Sequence, residues 1–366
     1  MLWYKDYEVI SSNPCFIIPL YNNKHFVLDK LYHIEKTYLQ QNITLGYCIF
    51  MKKLPIKKYL KTAEYAFKNY FSGENVYPFY ASFKVTHKCS LRCSFCNVWM
   101  EKTPDLPKKE VFKVIDNISN SSIVVLSLEG GDPLVRKDLG EILEYAHSKP
   151  FYLFFTTNGH LLDKRPMKEY GKNIDYLHIS IDEGHGNLKF FDRLEEFQSY
   201  GPEICIQIVV TKDTMDKIEE KVKRVYDVGA RTVIMPACHL DGTDDYYPDP
   251  KKFKEEILRL KKKYKNTITT PKGFLDNINK PHGCSTSSII IDSDGGLFYP
   301  CRTVGKRLFN FTQEPFIDFL NSKAAKQARS DMEKCERCCG WYQYFATDVF
   351  ASPFTIYSSL SPYLIH

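Results

Sequence analysis

Between residues 79 and 236 the sequence alternates short β-branched runs with longer amphipathic stretches, and this rhythm constrains the fold more than any other feature. Strand candidates fall at residues 81–85, 123–128, 152–156, 176–181, 204–210 and 232–236, with helix candidates such as 108–118, 137–147 and 215–228 between them. After the first interval the strands recur every 24 to 29 residues or about that, the length of one strand plus a crossover helix. The strands are mostly apolar, as strands covered by helices must be. Six such units predict an α/β protein whose parallel sheet curls into a partial (β/α)6 TIM-like barrel. An open doubly wound sheet satisfies the same periodicity.

The chain has 366 residues, enough for such a barrel with additions at both ends. We expect three parts: an N-terminal α/β region over 1–75, the barrel over 76–270 and a cysteine-rich extension over 271–366. A hydrophobic content of 43% fills a sizeable core and excludes a disordered or collagen-like chain. No apolar run approaches the roughly 18 residues of a membrane span. The start, Met1-Leu2-Trp3-Tyr4-Lys5-Asp6, lacks a basic stretch followed by an apolar one, so no signal peptide is read and a cytoplasmic location is expected. A net charge of +6 is mild for this length and does not call for nucleic acid.

The 12 cysteines need a separate explanation, because they cluster. Cys89, Cys93 and Cys96 follow the first strand, and Cys335, Cys338 and Cys339 form a second group. Without an export signal, clustered cysteines read as metal or cluster ligands before disulfides. A [4Fe–4S] cluster normally takes four cysteines, so three thiolates on one loop leave one iron open. In a parallel barrel that loop lies at the C-terminal face, where active sites form. A zinc site is the alternative.

The Cys-x3-Cys-x2-Cys spacing, with aromatic Phe95 before the third cysteine, resembles the radical S-adenosylmethionine (radical SAM) superfamily. A second segment, Glu129-Gly130-Gly131-Asp132-Pro133 after the second strand, resembles the family's Gly-Gly-Glu-Pro. The resemblance assigns Gly130, Gly131 and Asp132, with Glu129 beside them, to the methionyl ammonium of S-adenosylmethionine. Glycines permit close backbone approach, and a carboxylate accepts charge-assisted hydrogen bonds. Asp132 stands where Glu is usual, which shortens the reach by one methylene. Weaker likenesses follow at later strand ends. Thr157-Asn158-Gly159 resembles the family's Thr-Asn-Gly, and Ser180 and Asp182 resemble positions near the ribose. Gln207, Thr211 and Met235 are candidates for the bound nucleoside. Each has a plain structural reading as a turn or a lumen-lining polar group.

Cys284, Cys301, Cys335 and Cys338 bracket a β-hairpin at 288–299 and a helix at 324–333. This arrangement resembles the SPASM/twitch extension, and the cysteine count suits one auxiliary [4Fe–4S] cluster. Zinc is served equally well by that spacing, and Cys339 competes with Cys338. Cys15, Cys48, Cys205 and Cys238 read as buried small hydrophobes.

The resemblance implies reductive cleavage of S-adenosylmethionine, fed by an electron donor such as a ferredoxin or flavodoxin, and hydrogen abstraction from substrate by a 5′-deoxyadenosyl radical. His239 or Asp241 could complete the substrate site. Two features bear on the substrate. Residues 56–71 read as a basic amphipathic helix, suited either to an anionic membrane surface or to capping the barrel with its lysines solvated. The aromatic tail from Trp341 to Leu364 suits an elongated apolar cavity. Together they are loosely similar to radical enzymes that modify isoprenoid or archaeal-type membrane lipids, and a long apolar substrate is expected. The alternatives are a maturase of a ribosomally made peptide and a non-catalytic iron–sulfur or zinc module.

Overall fold

The structure, a computed structural model, describes residues 54–238, 245–278, 286–303, 305–336 and 342. Six parallel strands form as the periodicity predicts: β1 (Tyr80–Thr86), β2 (Val125–Gly130), β3 (Tyr152–Thr157), β4 (Tyr176–Ser180), β5 (Glu203–Val210) and β6 (Arg231–Pro236). They lie side by side in chain order. A doubly wound sheet reverses its strand order near the middle, so this succession excludes it and leaves the partial barrel.

Crossover helices cover the outer face: α2 (Lys108–Ser119), α3 (Leu139–His147), α4 (Met167–Gly171), α5 (Leu194–Gln198) and α6 (Ile218–Asp227). An earlier helix, α1 (Ile56–Ser72), precedes the barrel. In α2 the apolar Val111, Val114, Ile115 and Ile118 recur at helical spacing and are all buried. They meet Ala81, Phe83, Leu126, Leu128, Leu153 and Phe155 of the sheet in one continuous core. Each such large side chain, fully buried, contributes roughly 1.5–3 kcal/mol. The α3 helix begins at Leu139 rather than 137, because Arg136 is turned aside to hold Asp138 through two hydrogen bonds of 2.9 and 2.7 Å.

The strand register sets the other face. Ser82 pairs with Ser127, Lys84 with Glu129, His178 with Cys205 and Ser180 with Gln207, so these side chains line the inside of the curled sheet. Beyond β6 come α7 (Pro250–Lys263) and α8 (Lys272–Asn277). The expected hairpin follows as β7 (Ser288–Ile291) and β8 (Gly296–Tyr299), then β9 (Lys306–Asn310), α9 (Phe316–Leu320) and α10 (Lys323–Glu333). Its turn needs Gly295, whose φ of +79° is left-handed. Strand β7 pairs in parallel with β1, so the hairpin extends the same sheet at its β1 edge.

The α1 helix docks at the N-terminal ends of the strands; Lys57 and Lys68 are solvated as expected, but Lys58 and Lys61 are turned to the protein. Lys58 is buried and donates to the carbonyls of Ser119 (3.4 Å) and Ser121 (3.3 Å), while Lys61 donates to Asn120 (2.8 Å). Asn69 bonds both the N–H and C=O of Tyr77. The physical reason is that α2 ends there with carbonyls that lack helical partners, and a lysine ammonium satisfies them. Burial pushes the Lys58 pKa down to about 8.

Candidate active site

The loop after β1 carries the three-cysteine group. Cys89, Cys93 and Cys96 are each half-buried and line one small cavity together with Leu91, Val98, Trp99, Gly131, Asn158 and His185. Phe95 is buried beneath them and packs on Gly184, where a Cβ would sit 2.1 Å from the ring. Burial first, and then the neighbouring Cys96 and Cys89, push the Cys93 thiol up to about 12. Such a trio is unfavourable as thiolates unless a positive centre is bound among them.

The spread of the thiols bears on which centre that is. Among the described residues, no three His, Cys, Asp or Glu side chains are close enough to hold one metal ion. Around a single tetrahedral zinc, sulfurs lie about 3.8 Å apart, by geometry from the Zn–S bond length. A four-iron cube spreads its thiolates more widely than that, and three of them leave one iron open.

The Gly-Gly segment is built against this loop. Gly131 N–H donates to Thr86 O (2.8 Å) and Asp132 N–H to Lys88 O (2.9 Å). A Cβ on Gly131 would lie 2.4 Å from Lys88 O, and one on Gly130 only 2.1 Å from Thr86 O, so only glycine allows this contact. Asp132 is fully buried. Its Oδ1 accepts from Leu134 N–H (3.1 Å) and Thr157 Oγ1 (3.0 Å), while its Oδ2 has no partner among the described residues. Burial raises its pKa to about 6. An orphaned carboxylate oxygen behind the cavity is the feature an incoming ammonium would satisfy.

Asn158 turns its amide toward Cys89 Sγ (3.4 Å) and Ser90 Oγ (3.5 Å). Asp182 does not line the cavity. Its two oxygens accept from Val209 N–H and His185 N–H and both lie 2.9 Å from His185 Nδ1. It thereby holds His185, which does line the cavity and meets the Phe95 ring edge-on at 5.3 Å. Asn187 ties this region together, donating to Asn158 O (3.0 Å) and Ser180 O (2.7 Å) and accepting from Asp182 N–H. Neither His185 nor Asn187 was among the sequence candidates. The His-Gly-Asn run directly after a strand end was the only signal for them.

The remaining candidates sit deeper along the inner face. Glu129 accepts from Ser82 Oγ (2.6 Å) and Tyr80 OH (3.1 Å) and lies 3.9 Å from Lys84 Nζ. Ser180 Oγ donates to Gln207 Oε1, and Gln207 Nε2 lies 3.3 Å from His178 Nδ1. His178 is half-buried on the inner face, and desolvation lowers its pKa to about 4. Met235 packs with Tyr176, Cys205 and Val233. Thr211 is buried at the end of β5, paired with Thr214.

Of the second cysteine set, Cys301 and Cys335 are described; Cys284, Cys338 and Cys339 lie outside the described residues, as do His239, Asp241 and the tail from Trp341 apart from Tyr342, which packs on Phe274 at 5.0 Å. Cys301 is buried after β8 and packs with Ile290 and Met332, and Val98 and Cys238 close the same cluster. Cys238, expected as a buried small hydrophobe, is half-buried and a neighbour of this group. Cys335 follows α10, its N–H bonded to Met332 O (3.0 Å). Arg302, next to Cys301, pairs with Asp292 at 2.5 Å and Glu101 at 3.1 Å, and Asp292 also meets His87 at 3.6 Å. These contacts bolt the hairpin to both flanks of the three-cysteine loop.

A parallel barrel with three thiols and a glycine-rich strand end at its C-terminal mouth defines a class of cluster-bearing barrel enzymes. Residues 83–210, most of the barrel, match the Radical SAM superfamily. That family's cofactors are a [4Fe–4S] cluster and S-adenosylmethionine, and the donor set described above fits both. The chain is 30% identical over 104 residues to the PqqA peptide cyclase of Granulibacter bethesdensis, covering 27% of this chain and 28% of that one. It is 22% identical over 291 residues to an S-adenosylmethionine-dependent nucleotide dehydratase of Lacinutrix mariniflava, covering 72% and 58%. These matches thus span well under two thirds of the relatives' lengths. Streptococcus suis SuiB bound to its precursor peptide SuiA shares the fold, with a TM-score of 0.58 at 15% identity over 83% of this chain and 80% of that one.

Proposed function

We propose that this chain is a radical SAM enzyme that modifies a peptide. The observation that carries the chemistry is the convergence of Cys89, Cys93 and Cys96 with Gly131 and Asn158 on one cavity, backed by the unpartnered Oδ2 of Asp132. When bound, the cluster and S-adenosylmethionine supply one-electron cleavage of the sulfonium and abstraction of a substrate hydrogen. The three thiolates hold the cluster, and the bare backbone of Gly130 and Gly131 lets the methionyl group come close. Asp132 Oδ2 accepts from its ammonium. Phe95 and His185 wall the cavity against water. Glu129, His178, Ser180, Gln207 and Met235 form the inner face below, where polar groups of nucleoside and substrate are held. A reduced ferredoxin or flavodoxin delivers the electron. Cys301 and Cys335, with Cys284 and Cys338, hold a second [4Fe–4S] cluster in an extension that begins near residue 271.

The choice of a peptide is supported by the PqqA cyclase relative and by the fold shared with SuiB, whose partner is a precursor peptide. The long apolar substrate rested on the tail, which apart from Tyr342 lies outside the described residues, and on α1, which docks at the opposite end of the barrel from the cysteine loop. The test is turnover. Reconstituted, reduced protein is given S-adenosylmethionine and synthetic peptides from short reading frames beside its gene. We expect one peptide to stimulate 5′-deoxyadenosine release and to change mass. Stimulation by a lipid extract alone would refute the peptide reading.

A further inference from the structure

Helix α1 is amphipathic, and it is docked by its polar side. At 100° per residue, Ile56, Tyr59, Leu60, Ala63, Phe67, Tyr70 and Phe71 share one arc of about 120°. The buried residues Lys58, Tyr65 and Asn69 occupy the opposite arc. The apolar arc faces outward, with Phe71 80% exposed, Ile56 58%, Tyr70 57% and Phe67 50%. Six of the nine large hydrophobic side chains exposed among the described residues lie on this helix, so they form a patch and not a scatter. Along one border run Lys57, Lys61, which also donates to Asn120 O, and Lys68, paired with the single acid Glu64 at 2.6 Å.

We propose that this face of α1 rests on an anionic lipid surface. Its chemistry is that of an interfacial helix: aromatic rings for the headgroup boundary, flanked by lysines complementary to anionic headgroups. No described helix is long and apolar enough to cross a membrane, so the contact is peripheral. The face is convex and unbroken, unlike a groove that receives a partner helix. A two-fold antiparallel pairing with a second copy would set the lysine border beside its own image, which charge disfavours. The orientation follows from the docking. Tyr59 OH meets Tyr152 OH (2.9 Å) at the start of β3, and Lys58 caps carbonyls just before β2. The cysteine loop leaves the other ends of the strands, so the catalytic mouth points away from the bilayer, toward a water-borne substrate.

Flotation of the full chain with phosphatidylcholine vesicles, with and without phosphatidylglycerol, tests this. We expect comigration with the anionic vesicles only, weakening as salt rises. The double variant Phe67→Ser/Phe71→Ser should bind at least tenfold more weakly while keeping its circular dichroism and iron content. Comigration with neither vesicle, or undiminished binding by the double variant, overturns the proposal. So does a concentration-dependent dimer in sedimentation velocity that the double variant abolishes, which would make the occupant a second copy. Slow hydrogen exchange of α1 without vesicles, sped by removal of residues 1–53, would assign the face to the chain's own N-terminal segment.

Discussion

The two ends of the barrel break the usual inside–outside rule in opposite directions. At the C-terminal ends of the strands the molecule buries polar groups: Asp132 and Asp182 have no exposure, and Asn158 and Asn187 almost none. At the N-terminal ends it exposes the aromatic face of α1. Buried polar groups are tolerated when hydrogen-bonded, and nearly all of those at the mouth are. Two exceptions among the described residues, Asp132 Oδ2 and Trp99 Nε1, lie at the cavity, and the charged one points to what the fold is waiting for. The exposed face likewise has no reason in the stability of the barrel, because α1 is held by Lys58 and Asn69 from its other side. The two proposals, one chemical and one adhesive, rest on these two departures from the rule.

The sharpest way to break this contrast is at the mouth. Cys93→Ala should remove about four irons per chain from the reconstituted protein, the complement of one cluster, and abolish S-adenosylmethionine cleavage. Full iron content and cleavage in that variant would sink the assignment. Gly131→Ala comes next. Its Cβ meets two carbonyl oxygens, at 2.4 Å (Lys88) and 2.5 Å (His87), and neither belongs to a flexible side chain. A cost of about 1–3 kcal/mol in thermal unfolding is expected, with loss of cofactor binding. Asp132→Asn keeps the shape and removes the charge. Losing a hydrogen bond to a charged group costs about 1.5–3 kcal/mol, so affinity for S-adenosylmethionine should fall at least tenfold by equilibrium dialysis.

Much of the mouth was legible in the sequence because its signals are local. The cysteine spacing, the Gly-Gly-Asp turn and the strand periods each lie within one short segment, and all six strands appear within two residues or so of their expected bounds. What stayed hidden depends on distant partners. Pairing of β7 with β1 joins Tyr80 to Ser288 and leaves no local trace. The docking sense of α1 is decided by carbonyls 61 and 63 residues away, which no helical wheel contains. Cys238 meets the Cys301 cluster only because the chain after β6 returns there. His185 and Asn187 owe their importance to a turn that folds them back over Asp182 and Asn158.

Titration separates the barrel interior from its lower end. Desolvation lowers His178 from 6.5 to about 4 and Lys58 from 10.5 to about 8. In both, the unfolded chain holds more protons than the folded one between the two values, so stability rises with pH across each window. The His178 contribution is complete above pH 6.5 and is lost as pH falls toward 4. The Lys58 penalty persists below pH 8 and is relieved between pH 8 and 10.5. Each shift corresponds to about 3 kcal/mol at most. His178→Gln should flatten the acid limb of a urea-unfolding profile and Lys58→Met the alkaline limb. An unchanged limb in either variant would show that the group is hydrated in the native protein.

The smallest expected effect discriminates best between the two ends. Phe83, with no exposure, belongs to the core, and Phe83→Ala should cost about 3–5 kcal/mol. Phe71 is 80% exposed, and Phe71→Ala should change unfolding free energy by no more than about 0.5 kcal/mol. A cost above about 1 kcal/mol for Phe71→Ala would mean that the protein itself covers this ring. The lower end would then be ordinary core with its cover in place, and the contrast with the mouth would fail. Near-neutrality requires instead that the ring be kept for contact with something other than the folded chain.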